Sequence, residues 1–308
     1  MIRVMSLTKR YGDFTAVDDV TFTCRPGRVT GFLGPNGAGK TTTMRVMTGL
    51  TPADAGEVTI GGHHYRDIPN PGRHVGVLLD ASAQHAGRTG REILSLGAKL
   101  MGLPESRVDE MLQLVSLSDT EATRRLRNYS LGMRQRLGIA HALLGDPSVL
   151  ILDEPANGLD PAGIRWMRGL LKDYSGRGGT VLLSSHLLNE VELIADEMIL
   201  IGRGKIVAQG DKKTLLAGST VTTLVTSLDN AQLGSALEQV DIKHSTAGEG
   251  FLVEAAPVDV GRVAAEHRIV LTDLRSGGAG LEDLFLELTA DTQREGHIEP
   301  TQIEGASS

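Results

Sequence analysis

The sequence of 308 residues is poor in cysteine, in aromatic residues and in long apolar runs. Its single cysteine excludes an intramolecular disulfide framework and is typical of a protein from a reducing cytosol. Cys24 lies in an alternating apolar stretch, so we expect it to be a small buried core residue. No segment approaches the roughly 20 apolar residues that a membrane-spanning helix needs, and the first residues lack the apolar core of a secretory signal. If this protein moves a compound across a membrane, another chain must supply the path.

Basic residues are not in excess either. The 31 Lys and Arg residues stand against 38 Asp and Glu residues, which gives a formal net charge of -7. This balance argues against non-specific binding of nucleic acid. Hydrophobic residues make up 40% of the chain and charged residues 22%, which is enough for a sizeable core, and the length suggests about two domains.

Residues 34–41 read Gly-Pro-Asn-Gly-Ala-Gly-Lys-Thr and fit the phosphate-binding pattern G-x-x-x-x-G-K-[ST]. An apolar stretch at 29–33 precedes the loop, and a helical stretch at 40–48 follows it and stops at Gly49. Glycines let successive backbone N–H groups converge on phosphate oxygens, and the helix N-terminus adds its positive dipole end. We expect Lys40 to contact the β- and γ-phosphates of ATP and the Thr41 hydroxyl to bind Mg²⁺. The predicted nucleotide-binding residues in this segment are Gly34, Pro35, Asn36, Gly37, Ala38, Gly39, Lys40, Thr41 and Thr42.

Two further motifs follow in the chain. Residues 129–133 read Tyr-Ser-Leu-Gly-Met ahead of an expected helix through Leu144, and residues 149–154 read Val-Leu-Ile-Leu-Asp-Glu. The three motifs in this order resemble the nucleotide-binding subunits of the ATP-binding cassette (ABC) family, over roughly residues 1 to 215. Residues 129–133 are similar to the family's signature motif in a variant form. Ser130 and Gly132 are kept, whereas Leu131 and Met133 replace the usual glycine and glutamine.

The resemblance implies a role for each residue at the end of the two buried strands. Asp153 follows an expected apolar strand at 149–152 and can hold Mg²⁺ through water. Glu154 corresponds to the family's catalytic base, which polarises the attacking water. His186 ends the strand at 180–185 and corresponds to the residue that contacts the γ-phosphate and aligns the water with the glutamate. Lys40, Glu154 and His186 are therefore the predicted catalytic residues.

Other positions are assigned by the same resemblance. Tyr11 is the candidate for stacking on adenine, since its position resembles the family's aromatic loop. Asp160, in Asn-Gly-Leu-Asp at 157–160, resembles the loop that acts across the ABC dimer and also suits a helix cap. The family usually has a glutamine where this chain has Asp80, which could still reach Mg²⁺ or the lytic water. Gln84, four residues on, is a weaker alternative.

The resemblance also implies a dimer. Two subunits face head to tail, so that Ser130, Gly132 and the following helix N-terminus close on the γ-phosphate held by the partner's loop. The implied partners are a second copy of this chain and an integral membrane permease, with no nucleic acid. The implied location is cytoplasmic, on the inner face of the cell membrane through the permease.

Alternation of strands and helices predicts an α/β fold with a largely parallel sheet. The resemblance implies a P-loop NTPase core of the ABC ATPase type at 1–216, with a mixed sheet and a helical subdomain at about 89–145. Residues 217–290 predict a small α+β accessory domain. Its predicted order is that of the split ferredoxin-like pattern, β-α-β-β-α-β. The expected elements are strands at 221–227, 240–242, 251–254 and 269–274 and helices at 230–238 and 258–267. A short amphipathic helix at 281–288 and a disordered tail at 291–308 complete the prediction.

Two functions fit these features to different degrees. The single cassette, the separate small domain, Asp80 and the variant signature resemble ATPases of bacterial drug and antibiotic exporters, which implies efflux of a drug, antibiotic or lipid-like compound. The alternative is a soluble ABC ATPase acting on the ribosome or on DNA. Translation-type members carry two cassettes in one chain, and repair-type members insert long coiled coils, whereas this chain shows neither feature. A non-catalytic scaffold is disfavoured because all four residues of the expected chemistry are present: Lys40, Asp153, Glu154 and His186.

Overall fold

The computed structural model describes residues 1–186, 191–211, 214–215 and 222–276. The predicted helix at 281–288, the predicted tail at 291–308 and the predicted domain boundary at 216–217 lie outside the described residues. Within the described ranges, every helix is too short or too polar to cross a membrane.

The N-terminal part contains four strands, β1 (Ile2–Tyr11), β2 (Phe14–Cys24), β3 (Arg28–Leu33) and β4 (Ala55–Ile60). Strands β1, β2 and β4 form an antiparallel sheet in the order β2-β1-β4. The turn between β1 and β2 contains Gly12 at φ 57°, a left-handed backbone that glycine adopts without strain. The apolar stretch at 29–33 of the sequence analysis lies within β3.

Strand β3 belongs to a second, six-stranded sheet. The other strands are β5 (Val75–Leu78), β6 (Val149–Leu152), β7 (Thr180–Ser185), β8 (Glu197–Gly202) and β9 (Lys205–Asp211). Their order is β5-β6-β7-β3-β8-β9, and all neighbours are parallel except β8 and β9. β6 and β7 have the predicted bounds. Parallel strands that are not adjacent in sequence thus end at one edge of this sheet.

Helices cover both faces of the six-stranded sheet. Helix α1 (Lys40–Met47) follows the phosphate loop, and Gly49 comes two residues after its end with φ 70°. The predicted helical subdomain consists of α2 (Gly90–Met101), α3 (Ser106–Leu114), α4 (Asp119–Ala122) and α5 (Leu131–Leu143). Thr89 and Glu92 form a capping box at the start of α2. Helix α6 (Pro161–Gly176) begins with Pro161, and Asp160 is its N-cap, which confirms the cap predicted at Asp160.

The core lies on both sides of this sheet. All residues of β6 and β7 are buried, as expected for strands that are covered on both faces. Neighbouring side chains of β3 enter different clusters: Leu33 packs with residues of α2, α3 and α5, whereas Phe32 packs with the three-stranded sheet and α1. Cys24 is fully buried in the second cluster, which confirms the prediction. The strand ends that carry the candidate site are therefore held from both faces.

The last described elements are β10 (Thr223–Ser227), α7 (Asn230–Gln239), β11 (His244–Ala247), β12 (Gly250–Val253), α8 (Pro257–Glu266) and β13 (Leu271–Ser276). They occur in the predicted β-α-β-β-α-β order and form an antiparallel sheet in the order β11-β12-β10-β13. Their apolar side chains form a separate cluster, which includes Val225, Leu233 and Val260. The strand predicted at 240–242 is wrong. Val240 follows α7 directly and Asp241 has φ 55°, so the strand begins only at His244.

Candidate active site

The candidate site lies at one edge of the six-stranded sheet. β6, β7 and β3 are neighbours and parallel, with Leu152 opposite Leu183 and Leu33 opposite Ser185. The phosphate loop follows β3, and His186 follows β7. Asp153 and Glu154 follow β6, so residues from three distant parts of the sequence meet at the carboxyl ends of the strands. Ligands of open α/β sheets bind at this edge.

The phosphate loop is closely surrounded by backbone. A Cβ atom on Gly39, which has φ 108°, would lie 2.5 Å from the carbonyl oxygen of Ala16. A Cβ on Gly34 would lie equally close, 2.5 Å from the carbonyl oxygen of Ile201. The loop borders a cleft of about 260 Å³, whose lining residues are Tyr11, Phe14, Ala16, Asn36, Gly37, Ala38, Gly39, Lys40, Thr41, Thr42 and Glu154. Glycines at these positions keep the loop backbone open, as a phosphate-binding loop requires.

Lys40 is buried within the loop, with only 6% of its surface exposed. Its ammonium nitrogen donates to the carbonyl oxygen of Gly34 at 2.6 Å and to that of Pro35 at 3.3 Å. Burial lowers the pKa of Lys40, and the nearby carboxylates of Glu154 and Asp153 partly oppose this effect. A buried cation at this position suits the binding of phosphate oxygens.

Asp153 is the centre of a small hydrogen-bond network. The Thr41 hydroxyl donates to its Oδ2 atom at 2.6 Å, and the buried Ser184 hydroxyl donates to its Oδ1 atom. Thr41 and Asp153 thus present a hydroxyl and a carboxylate at the mouth of the phosphate loop. No cluster of three or more His, Cys, Asp or Glu side chains occurs among residues 1–186, 191–211, 214–215 and 222–276. The Thr41 hydroxyl and the Asp153 carboxylate fit Mg²⁺, which takes one or two carboxylates together with phosphate oxygens and water.

Glu154 and His186 form the second pair at this edge. Nδ1 of His186 lies 2.8 Å from Oε2 of Glu154, and both side chains are partly exposed. Glu154 has φ 49°, a left-handed conformation that is uncommon for a residue other than glycine. Its backbone N–H donates to the Ser184 hydroxyl at 3.0 Å. The structure therefore brings Lys40, Thr41, Asp153, Glu154 and His186 together, as the sequence predicts.

The carboxylate of Asp80 forms a local turn with Ser82, and no hydrogen bond among the described residues joins it to Thr41, Asp153 or Glu154. Its Oδ1 atom accepts hydrogen bonds from the hydroxyl and the backbone N–H of Ser82, at 2.6 and 2.7 Å. These bonds hold the pKa of the Asp80 carboxyl below its ordinary value. Its assignment as a Mg²⁺ ligand, and the weaker alternative Gln84, stay predictions.

Ser130, Gly132 and Asp160 do not line the phosphate cleft. Ser130 is the N-cap of α5 and accepts from the N–H of Met133 at 3.2 Å. A Cβ on Gly132 would lie 2.8 Å from the carbonyl oxygen of Gly158, so the signature turn packs against the loop that ends in Asp160. The three residues thus form a second surface of the chain, whose nucleotide contacts stay a prediction.

Three residues that contribute to this region were not predicted from the sequence. Phe14 pairs with Tyr11 across the β1–β2 turn and lines the cleft beside it. The Gly-Asp turn between two strand-like segments is the signal that could have indicated it. Ser184 contacts Asp153, 31 positions away in the sequence, and Gln135 contacts the backbone of Glu154, 19 positions away. Neither contact has a local sequence signal.

Comparison with known proteins gives a consistent result. The family model described as ABC transporter matches residues 17–157. The chain is 37% identical to the uncharacterized ABC transporter ATP-binding protein YhcH of Bacillus subtilis, over 96% of this chain and 98% of that protein. It is 40% identical to the bacitracin transport ATP-binding protein BcrA of Bacillus licheniformis, over 68% and 69% of the two chains. It is 34% identical to the daunorubicin resistance ATP-binding protein DrrA3 of Streptomyces coeruleorubidus, over 95% and 97%. A solved structure of an ATP-binding subunit of an ABC transporter has a TM-score of 0.65 and 28% identity, over 70% of this chain and 92% of that chain.

Proposed function

Because this chain belongs to the ABC transporter family, whose cassettes bind and hydrolyse ATP, we propose that it energises an export pump. The compound expelled is a drug, an antibiotic or a lipid-like molecule, and it passes through a separate membrane permease. The names of the bacitracin transport and daunorubicin resistance relatives support this class of substrate. The observation that carries the proposal is the pair of Glu154 and His186 beside the phosphate loop.

The residues divide the work of hydrolysis. The loop N–H groups and Lys40 bind the phosphates of ATP, and the ring of Tyr11 contacts the adenine. Thr41 and Asp153 would hold Mg²⁺, which when bound neutralises charge on the β- and γ-phosphates. Glu154 orients the attacking water and accepts its proton at the carboxylate. His186 holds that carboxylate in place through Nδ1 and presents the rest of its ring to the γ-phosphate.

A second copy of the chain completes each site in this proposal. Ser130 and Gly132 stand at the N-terminus of α5, which is a ready anion-binding position. They lie outside the cleft of their own chain, together with Asp160. Head-to-tail association would place them against the γ-phosphate in the partner's loop. Two ATP molecules then lie between the two copies, and hydrolysis releases the dimer.

The permease contact is proposed on the helical subdomain, at residues 80–101. Leu96 and Leu100 are 44% and 84% exposed and lie four residues apart on α2, so they share one face. Exposed apolar side chains at this spacing suit a partner protein. We propose that this contact holds the chain on the inner face of the membrane, without nucleic acid as a partner.

Two measurements test the proposal. Glu154→Gln should still bind ATP, should lose turnover and should accumulate as a dimer with ATP and Mg²⁺ in size-exclusion chromatography, because the amide cannot accept the proton. Glu249→Gln, an exposed change in the C-terminal region, is the matched control.

In cells, membrane association should require co-expression of a membrane protein with about six apolar spans encoded next to this chain. Sedimentation with ribosomes, or membrane association without that protein, would contradict the export assignment.

A further inference from the structure

The backbone of Glu154 is fixed by three hydrogen bonds. Its N–H donates to the Ser184 hydroxyl, and its carbonyl oxygen accepts from the N–H of Asn157 at 3.1 Å and from Nε2 of Gln135 at 3.2 Å. A left-handed backbone at a glutamate is strained and persists only where its surroundings hold it. The direction of the Glu154 side chain therefore depends on these donors and on Ser184.

Gln135 differs from the other two partners because it belongs to the helical subdomain. It lies on α5, is 4% exposed, and reaches Glu154 across 19 positions of the sequence. Only the amide nitrogen of a glutamine can face a carbonyl oxygen, so the hydrogen bond fixes the orientation of the amide. A buried polar side chain that bridges two subdomains is costly unless it is hydrogen-bonded.

We propose that Gln135 is a positioning residue for hydrolysis, which acts through the backbone of Glu154 and links catalysis to the position of α5. The inference rests on the proposed role of Glu154 as the base. Ser130 caps the same helix five residues earlier, at the surface proposed for the second copy. A rotation of α5 that moves Ser130 toward the partner's nucleotide thus also moves the donor that holds Glu154 in its own chain. In this proposal docking of the second copy does not itself require Gln135, whereas alignment of the base does.

The test compares Gln135→Leu and Gln135→Glu with the unmodified full-length chain. We expect Gln135→Leu to lower kcat about tenfold, the change that corresponds to the loss of one net hydrogen bond, with the Kd for ATP within about twofold. Gln135→Glu keeps the shape of the side chain, but its ionised carboxylate at pH 8 has no hydrogen to donate to the carbonyl oxygen of Glu154. When this carboxyl group is protonated, its O–H becomes a donor again. Burial favours this protonation, so the ratio of its kcat to that of the unmodified chain should rise between pH 8 and pH 6. Gln113→Leu, an exposed change on α3, is the control.

The same change is then made in a Glu154→Gln background. If Gln135 acts only through Glu154, Gln135→Leu should leave ATP-driven dimerisation of that variant unchanged. Weaker dimerisation, or a parallel loss of ATP binding and kcat, would show a structural role and overturn the inference. A kcat equal to that of the unmodified chain would also overturn it. Normal turnover by Glu154→Gln alone would instead reject the proposed base, so the two failures are distinguishable.

Discussion

The ammonium nitrogen of Lys40 lies 2.6 Å from the carbonyl oxygen of Gly34, the first residue of the same loop. An ammonium has three N–H donors, of which Gly34 and Pro35 accept two. We expect the third to donate to a phosphate oxygen of ATP. The ammonium of Lys40 thus joins the end of the loop to its first two residues, which limits the conformations that the loop adopts.

Replacing Lys40 by Ala should abolish turnover and weaken ATP binding by about 100-fold, because the β- and γ-phosphates lose their fixed cation. The thermal stabilisation by ATP should disappear with it. At 100 times Kd a ligand stabilises the folded state by about 2.7 kcal/mol, which a melting curve resolves easily. Lys172→Ala, an exposed change on α6, should keep this stabilisation. Normal turnover by Lys40→Ala would reject the loop assignment.

Replacing His186 by Ala should lower kcat by about 100-fold or more and change the Kd for ATP by less than about threefold. The reason is that its Nδ1 atom holds the Glu154 carboxylate, whereas the phosphates keep Lys40 and the loop. Single-turnover hydrolysis and equilibrium binding separate the two effects. The exposed His63→Ala serves as the control. Equal losses in binding and turnover would contradict a role of His186 in aligning Glu154.

Replacing Tyr11 by Ala should weaken ATP binding by about tenfold, because the adenine loses a stacking partner worth roughly 1–3 kcal/mol. Binding of inorganic triphosphate, which has no base, should not change. Tyr11→Trp should keep the affinity for ATP. Equilibrium titration with both ligands is the measurement, and equal weakening for both would place Tyr11 in a structural role.

Truncation after Gly218 removes the region of the C-terminal sheet and should leave ATP binding intact, since the residues assigned to the nucleotide lie at or before His186. The predicted helix at 281–288 packs either on that sheet or on the main domain of this or the second copy. The dimer dissociation constant in a Glu154→Gln background separates these cases. An unchanged constant favours the first, and a weaker dimer favours the second. Loss of ATP binding by a well-folded truncation would show that the predicted domain boundary at 216–217 is wrong.

Stability should depend on Cys24 at alkaline pH. Burial raises the pKa of this thiol from 9.0 to about 12. The unfolded chain therefore releases the proton near pH 9 while the folded chain keeps it, so the stabilisation is complete below pH 9 and is lost as pH rises toward 12. Relative to Cys24→Ala, the unmodified chain should lose about 1.4 kcal/mol of unfolding free energy between pH 8 and pH 10. Urea unfolding of both proteins at the two pH values measures this difference. A constant difference would contradict the burial argument.

The best predictions came from residues whose signals are local. The strands at 149–152 and 180–185 are short uninterrupted apolar runs, and the structure has them with the same bounds. The capping residues Thr89 and Asp160 bond to N–H groups three positions on, so their spacing is visible in the sequence. Ser118 and Glu121 have the same spacing and cap α4, a helix that the same rule could have found.

The failures have physical causes that local patterns do not contain. Val240 and Ile242 are apolar and predicted a strand, but the N–H of Ile242 bonds to the carbonyl oxygen of Leu237 and closes the end of α7. Ile242 then packs on the core of the C-terminal sheet without being in a strand. Ser184 and Gln135 owe their contacts to the tertiary fold.

The position of β3 between β7 and β8 has a consequence for synthesis. Its partners Thr180 and Glu197 leave the ribosome roughly 150 residues after the phosphate loop, which takes about 8 to 30 seconds at typical translation rates. During that interval the nascent chain carries Phe32 and Leu33 with both strand edges unpaired. Such an apolar segment favours wrong pairing and aggregation while it waits. The nucleotide loop is therefore synthesised early, but the sheet that holds it forms only after β7 and β8 have been synthesised. Slower translation prolongs the interval in which chaperones must keep this segment from aggregating.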